Sequence, residues 1–450
     1  MRETHVRALL FILLGFAGAA GQTAPRERPK LKDFGKSLER LRWDEKSRAA
    51  AEKPPKAKKQ KGPEAGGAED EEVVRVETSL VVCDVLVLDR QGRAVEGLTR
   101  EDFLVAEDGR PQEVGTFALG DDTAVPRSIV LVIDYSGSQF PYIRMSVEAA
   151  KTLVDRLGPR DLMALVTDDV ELIADFTADK ERLKKKLDGL ARRANEEEGL
   201  LAKSLAMHRR FGRSAQFSAL LATLKEAFAE EGVRPVVIFQ TDGDELLYLR
   251  DPVIEPSVPA GLPPEQRKKV EKSMAVFRKM IAENRREFSL RDVYAAAEKS
   301  RATIYTVVPG FRLVGLTPDE QLRRRDASRE RFLDAWRVRP EVRKELDERY
   351  QQTPPEVLKS GIEQELKVQG ALVELSSLTG GWADFLEEPG QAAGIYERIF
   401  SDVNRRYVIG YYPSNKARDG TRRLVHIEVR GHPEYTVWGR KSYYAPDPDR

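Results

Sequence analysis

The sequence is poor in the residues that form covalent cross-links and transition-metal sites. Its 450 residues include one cysteine, Cys83, so the chain can form neither an internal disulfide nor a zinc site built from cysteines. The four histidines show no metal-ligand spacing. The formal net charge is only +1, so no excess of positive charge points to nucleic acid as a partner.

Long apolar runs are also scarce, and the clearest one stands at the N terminus. Basic residues precede "ALLFILLGFAGAA", and small residues follow it, a pattern typical of a secretory signal peptide over residues 1–21. An uncleaved N-terminal anchor is the alternative, although the run is short for a membrane span. No later segment is apolar enough to cross a bilayer. We therefore expect an exported mature protein, periplasmic or extracellular, with no membrane span.

Composition changes twice before the first clear core segment. Residues 22–71 are charged and rich in lysine and proline, which predicts a disordered linker because such a segment buries little apolar surface. Residues 72–122 contain alternating, valine-rich runs and an Asp108-Gly109 turn, which together predict a small β domain.

From residue 126 to about 405, short apolar runs alternate with amphipathic helical patterns. This order predicts an α/β domain with a doubly wound, mostly parallel sheet. Two charged segments without strand pattern, at about 246–289 and 312–368, are interpreted as helical insertions. Aromatic and β-branched runs over residues 406–446 predict C-terminal strands that can pair back onto the N-terminal β domain.

Two of the buried strands end in carboxylates. "SIVLVID" ends in Asp134, followed by Ser136 and Ser138, and "RPVVIFQTD" ends in Asp242. Ligands of doubly wound sheets bind beyond the carboxyl ends of the strands, where the strand order reverses. Carboxylate and hydroxyl oxygens are the ligands that a hard cation such as Mg²⁺ prefers. The structural alternatives are helix capping for the two serines and a turn role for Asp242.

These residues resemble the metal-ion-dependent adhesion site of the von Willebrand factor A (VWA) family. The family pattern is Asp-x-Ser-x-Ser, a later threonine and then an aspartate, and "DYSGS" and "FQTDGDE" match its first and last parts. The whole layout is similar to exported VWA-related proteins of Acidobacteria, with "GLTREDFLVAEDGRPQEV" before the VWA domain and "RYVIGYYPSN…RKSYYAP" after it. The resemblance covers residues 72–446 outside the two insertions.

The resemblance implies a metal site with one departure from the family pattern. Ser214 stands where the threonine is expected, and Arg213 replaces a glycine beside it. An inward-facing guanidinium there would disfavour a cation. The implied ion is Mg²⁺, with Mn²⁺ or Ca²⁺ as alternatives, and an acidic side chain of a protein partner would complete its coordination. The implied ligands are Asp134, Ser136, Ser138, Ser214 and Asp242.

Three function classes follow from these observations. The first is an exported adhesion-type binding module, which is not an enzyme. The second is a metal-free structural envelope protein with a degenerate VWA site. The third is a phosphotransferase-type enzyme. It is the least favoured, because such enzymes have an Asp-x-Asp motif at the end of a strand, whereas Ser136 stands at the position of the second aspartate here. No nucleophile-elbow, dinucleotide-binding or P-loop motif occurs.

Overall fold

A computed structural model provides the structure of the chain. The predicted signal peptide, almost all of the predicted linker, Ser138 and Arg213 lie outside the residues that it describes. The described residues are 34–35, 80–119, 127–136, 139, 142–201, 214–228, 234–255, 257–258, 262–335 and 338–446.

A six-stranded mixed sheet forms the centre of the molecule. Its strands are β5 (Arg127–Ile133), β6 (Leu162–Thr167), β7 (Leu172–Thr177), β8 (Arg234–Gln240), β9 (Thr303–Pro309) and β10 (Ala383–Leu386). They lie in the order β10-β9-β8-β5-β6-β7, and all neighbours are parallel except β6 and β7. This is a doubly wound order, in which the direction of winding reverses between β5 and β8. The predicted fold class is therefore confirmed.

Helices cover both faces of this sheet, which explains why its strands are continuously apolar. On one face, α1 (Ile143–Asp155), α2 (Lys180–Leu201) and α9 (Ala392–Arg405) pack against side chains such as Leu131 and Leu165. The opposite face is covered by α3 (Gln216–Glu226), α5 (Leu290–Lys299) and α8 (Pro355–Leu378).

The charged segments form the remaining helices, which are α4 (Pro264–Glu283), α6 (Pro318–Ala335) and α7 (Pro340–Gln351). Helix α8 begins within the second charged segment but continues beyond it, where Leu372 and Leu375 are fully buried. The second segment therefore leads into a core helix of the sheet. Among the described residues, each helix is either too short or too polar to cross a membrane.

Strands from the two ends of the chain share two further sheets. The strands are β1 (Val81–Leu88), β2 (Phe103–Glu107), β3 (Arg110–Gln112), β4 (Val114–Leu119), β11 (Tyr407–Tyr411), β12 (Arg422–Val429), β13 (Thr436–Trp438) and β14 (Ser442–Tyr444). One sheet has the order β13-β1-β11-β4 and the other β14-β12-β2-β3. Cys83 lies opposite Ile409 in their common core, where burial raises the pKa of its thiol to about 12. The domain boundaries given above remain a prediction.

Candidate functional site

The carboxylates of Asp134 and Asp242 lie at the point where the strand order reverses. Asp134 directly follows β5, and Asp242 follows β8 by two residues. The backbone amide of Asp134 donates to the carbonyl of Gln240 at 2.9 Å, which ties the two strand ends together. The amide of Asp242 is 3.4 Å from Asp134 Oδ2. Adjacent parallel strands therefore bring both carboxylates to one edge, and the Asp134 side chain is only 2% exposed.

The two described serines of the predicted site contact different carboxylates. The backbone amide of Ser136 donates to Asp134 Oδ1 at 2.9 Å, and its hydroxyl also favours the charged form of Asp134. Ser214 lies just before α3 and is buried. Its hydroxyl makes no hydrogen bond of normal geometry, although it is close enough to Asp244 to favour the charge of that carboxylate. Ser138 cannot be placed in the site because it lies outside the described residues.

Two further aspartates of the site were missed in the sequence. Asp168 follows β6, and its Oδ1 accepts a hydrogen bond of 2.9 Å from the backbone amide of Tyr135. Asp244 lies in the same turn as Asp242, and its backbone amide donates to Asp242 Oδ1 at 3.1 Å. The edge argument used for Asp134 applies equally to Asp168, because β6 lies next to β5.

A glutamine amide stands where three of the carboxylates converge. Gln216 is the first residue of α3 and is fully buried. Its Nε2 lies 2.6 Å from Asp134 Oδ2, 2.6 Å from Asp244 Oδ1 and 3.3 Å from Asp242 Oδ1. Its Oε1 accepts a hydrogen bond from the hydroxyl of Thr241. Glutamine at a helix start is ordinary in a sequence, so no sequence signal indicates this role.

The electrostatics of the site are dominated by buried negative charge. Burial, followed by the charges of Asp242, Asp168 and Asp244, raises the pKa of Asp134 well above its usual range. Burial and the neighbouring carboxylates raise the pKa of Asp244 in the same way. The guanidinium of Arg286 is close by, but it forms an ion pair of 2.6 Å with Glu245. Protons or a divalent cation would relieve the repulsion between these carboxylates.

The donor chemistry of the site fits a hard divalent cation. Carboxylates and serine hydroxyls supply oxygen ligands, and the Ser214 hydroxyl is buried without a normal hydrogen bond. Within the described part of the chain, however, no three His, Cys, Asp or Glu side chains are grouped so that they could hold a metal ion. The Gln216 amide is hydrogen bonded to the same carboxylate oxygens that would bind an ion.

A cavity of about 180 Å³ opens beside Asp242. The carboxyl ends of the sheet form one wall, and side chains of α6 and α8 form another. Glu365 of α8 is exposed to this cavity, but the surrounding protein partly desolvates its carboxylate and raises its pKa. Polar and aromatic lining residues include Gln139, Tyr142, Asp242, Phe311, Ser328 and Glu365.

The chain is similar to several proteins of solved structure. No family model matches the chain, and no curated protein matches it. A von Willebrand factor type A protein from Catenulispora acidiphila is 11% identical, covers 83% of this chain and 76% of its own, and has a TM-score of 0.28. The manganese-loaded TRAP protein of Plasmodium vivax is 11% identical, with coverages of 73% and 84% and a TM-score of 0.26.

The vWF domain of the type V pili tip protein Mfa5 from Porphyromonas gingivalis is also similar. It is 12% identical, covers 63% of this chain and 96% of its own, and has a TM-score of 0.28. The fold of this chain is defined by the strand order of its central sheet.

Proposed function

We propose that the protein is an exported, VWA-type binding module that recognises an acidic group of a protein partner through a divalent cation. The observation that supports this proposal best is the convergence of Asp134, Ser136 and Asp242 at the reversal point of the sheet. Ligand sites of doubly wound sheets lie at this point. The proposed role is recognition of a partner, for which these residues supply the coordination chemistry.

Asp134, Ser136 and Asp242 would hold the ion, with Ser214 beside them and Ser138 as the ligand implied by the sequence. Mg²⁺ is the proposed ion, and Mn²⁺ or Ca²⁺ are alternatives. When bound, the ion supplies an electrophilic position that a carboxylate of the partner can complete. Gln139 Nε2 donates to Asp242 Oδ2 at 2.7 Å and so orients this carboxylate at the mouth of the cavity.

A cation titration tests this proposal directly. Mn²⁺ should bind the purified protein and raise its unfolding free energy by about 2.7 kcal/mol when the free ion is at 100 times its dissociation constant. Asp134→Ala should abolish this increment because it removes a carboxylate held at the end of β5. Asp175→Ala, which changes an exposed aspartate of β7, is the matched control and should leave the increment unchanged. A wild-type protein without any increment would refute metal-dependent recognition.

The exported location is a separate part of the proposal and rests on the N-terminal sequence. Cleavage after the small residues at positions 19–21 should leave a mature chain outside the cytoplasm. Mass spectrometry of the N terminus, after fractionation of cells that express the full chain, measures this. A cytoplasmic chain that still begins at Met1 would contradict it.

A metal-free structural role is the second candidate function. It is favoured by the Gln216 amide, which already donates to three carboxylates of the site. This candidate predicts that the protein unfolds at the same temperature with millimolar Mn²⁺ and with chelator. The titration described above therefore separates the two candidates.

A further inference from the structure

The Gln216 side chain is fixed at both ends of its amide. Its nitrogen faces Asp134, Asp242 and Asp244, and its oxygen faces the hydroxyl of Thr241. In this orientation the amide nitrogen donates to carboxylate oxygens, and the amide oxygen accepts from a hydroxyl group. Thr241 is fixed in turn, since its hydroxyl oxygen accepts a hydrogen bond of 2.9 Å from the backbone amide of Gly243.

We propose that Gln216 is a built-in occupant of the cation position, and that its amide must leave before a divalent cation can bind. This inference rests on the proposed function and describes how the same site is regulated. The amide and a cation compete for the same oxygens. Nε2 is 2.6 Å from both Asp134 Oδ2 and Asp244 Oδ1, whereas Mg²⁺ needs oxygen ligands at about 2.0–2.1 Å around its own centre.

The amide replaces a cation only in part. It supplies two N–H donors but carries no net charge, so the negative charge of the surrounding carboxylates remains uncompensated. A divalent cation at the same position would offset two of those charges, and it is therefore the stronger ligand once the amide has left. Gln216 lowers the apparent affinity for the cation by the free energy of its hydrogen bonds. The site is thus closed at low cation concentration and opens as the concentration rises.

The start of α3 connects this exchange to the neighbouring turn. The backbone amide of Phe217, the next residue, donates to Glu245 Oε2, and the Ser218 hydroxyl is 3.3 Å from Glu245 Oε1. Glu245 belongs to the short helical turn Asp244–Leu247, which directly follows the Asp242 loop. The first turn of α3, which carries Gln216, is therefore tied directly to the turn that carries Asp244. Both elements border the site at which a partner would bind.

Substitution of Gln216 tests the inference with Mn²⁺ alone as the probe. Gln216→Ala removes the competing amide and should bind Mn²⁺ at least about tenfold more tightly. The free energy of one hydrogen bond to a charged group corresponds to about a tenfold change in affinity. Gln216→Glu adds an oxygen ligand in place of the nitrogen and should also bind more tightly. Calorimetry and the electron paramagnetic resonance signal of free Mn²⁺ both measure the affinity.

Gln369→Ala is the matched control. Gln369 is also a buried glutamine, and its amide makes hydrogen bonds to the backbone of Phe311, Leu313 and Val314 but none to a carboxylate. This variant should lose stability without any change in Mn²⁺ affinity. Equal affinities for wild type and the two Gln216 variants would overturn the inference and leave the proposed function intact. Absence of binding in wild type and in both variants would overturn both.

A measurement on the wild-type chain covers the case in which the Gln216 variants fail to fold. Selective labelling of glutamine side chains allows the exchange of the Gln216 NH₂ group with solvent to be followed by nuclear magnetic resonance. In the metal-free protein this group should be protected, because it is buried and hydrogen bonded. Saturating Mg²⁺ should abolish the protection. Protection that persists while Mg²⁺ is bound would show that the amide does not leave, and would overturn the inference.

Discussion

Removal of the buried guanidinium of Arg406 should cost a large part of the stability of the protein. The Arg406 side chain is 1% exposed and lies at the junction of α9 and β11. Its Nε and Nη2 each lie 2.9 Å from a carboxylate oxygen of Asp402. Nη2 also donates to the carbonyl of Gly380 at 2.6 Å, and Nη1 donates to the carbonyl of Asp84 on β1 at 3.2 Å. One side chain thus joins the central α/β sheet to the sheets formed by the chain ends.

Arg406→Met leaves the Asp402 carboxylate buried beside Trp382, whose Nε1 remains as its hydrogen-bond donor at 2.8 Å. Breaking a buried ion pair by removing one partner costs about 3–5 kcal/mol, because a buried charge is left uncompensated. Native proteins are stable by only about 5–15 kcal/mol, so this single change should remove a substantial fraction of the total.

Equilibrium unfolding in urea measures this cost. The control is Arg156→Met, because Arg156 forms an exposed pair with Glu397 at 3.3 Å and such pairs contribute less than about 1 kcal/mol. The double variant Arg406→Met with Asp402→Leu should cost less than the sum of the single changes, since it leaves no unpaired charge. If Arg406→Met cost no more than Arg156→Met, the reasoning from burial and pairing would be refuted.

Three other predictions concern the site and the shared sheets. Burial raises the pKa of Asp134 above its unfolded value, so the metal-free protein should gain stability as the pH falls through this raised pKa toward the unfolded value. Asp134→Asn should reduce the dependence of stability on pH, measured by thermal unfolding in the presence of chelator. An unchanged dependence would contradict the titration of Asp134. Gly243→Ala should lower the unfolding free energy in urea by about 1–2 kcal/mol because of its positive φ, and by a further amount because the new methyl group clashes with α8. Gly97 has a similar φ but open space around it, so Gly97→Ala should show only the cost of the positive φ. Glu107→Ala should cost about 3–5 kcal/mol in the same assay because it removes the buried carboxylate that pairs with Arg423 and leaves only the longer, 3.8 Å pair with Asp419. A cost below about 1 kcal/mol would count against the importance of the buried pair.

Part of the site follows from the sequence because it depends on local pattern. A continuously apolar run that ends in a carboxylate identifies a buried strand and its carboxyl end, and this places Asp134 and Asp242 at one edge once the sheet is doubly wound. Ser136 follows because it is two residues from Asp134. The same rule applies to Asp168, which directly follows β6. These positions require only the order of the elements and the direction of each strand.

Gln216 could not be predicted in this way. Its position depends on how the first turn of α3 is oriented over the ends of β5 and β8, which is a matter of tertiary packing. The same limit applies to strand partners. An alternating pattern fixes which residues of β1 face the core, but the pairing of Cys83 with Ile409 joins residues more than 300 positions apart and depends on the closure of the whole chain.

The change from solvated to buried residues within the second charged segment could not be predicted from the sequence either. Helix α8 is solvated at its start and buried at its end, where Leu372 and Leu375 pack under the sheet. Charge density over a long window describes the first part and obscures the second. The periodicity of the last turns contains the information, but the boundary between the two parts is set by the position of the helix against β9.

Anomalous diffraction from crystals of the wild-type protein grown with Mn²⁺ tests the central claim most directly. The account predicts a manganese peak bounded by the oxygens of Asp134, Ser136 and Asp242, with the Gln216 amide withdrawn from hydrogen-bonding distance of these carboxylates. No peak at this position at millimolar Mn²⁺, with Gln216 Nε2 still hydrogen bonded to Asp134 and Asp244, would contradict the claim that the site recognises its partner through a cation.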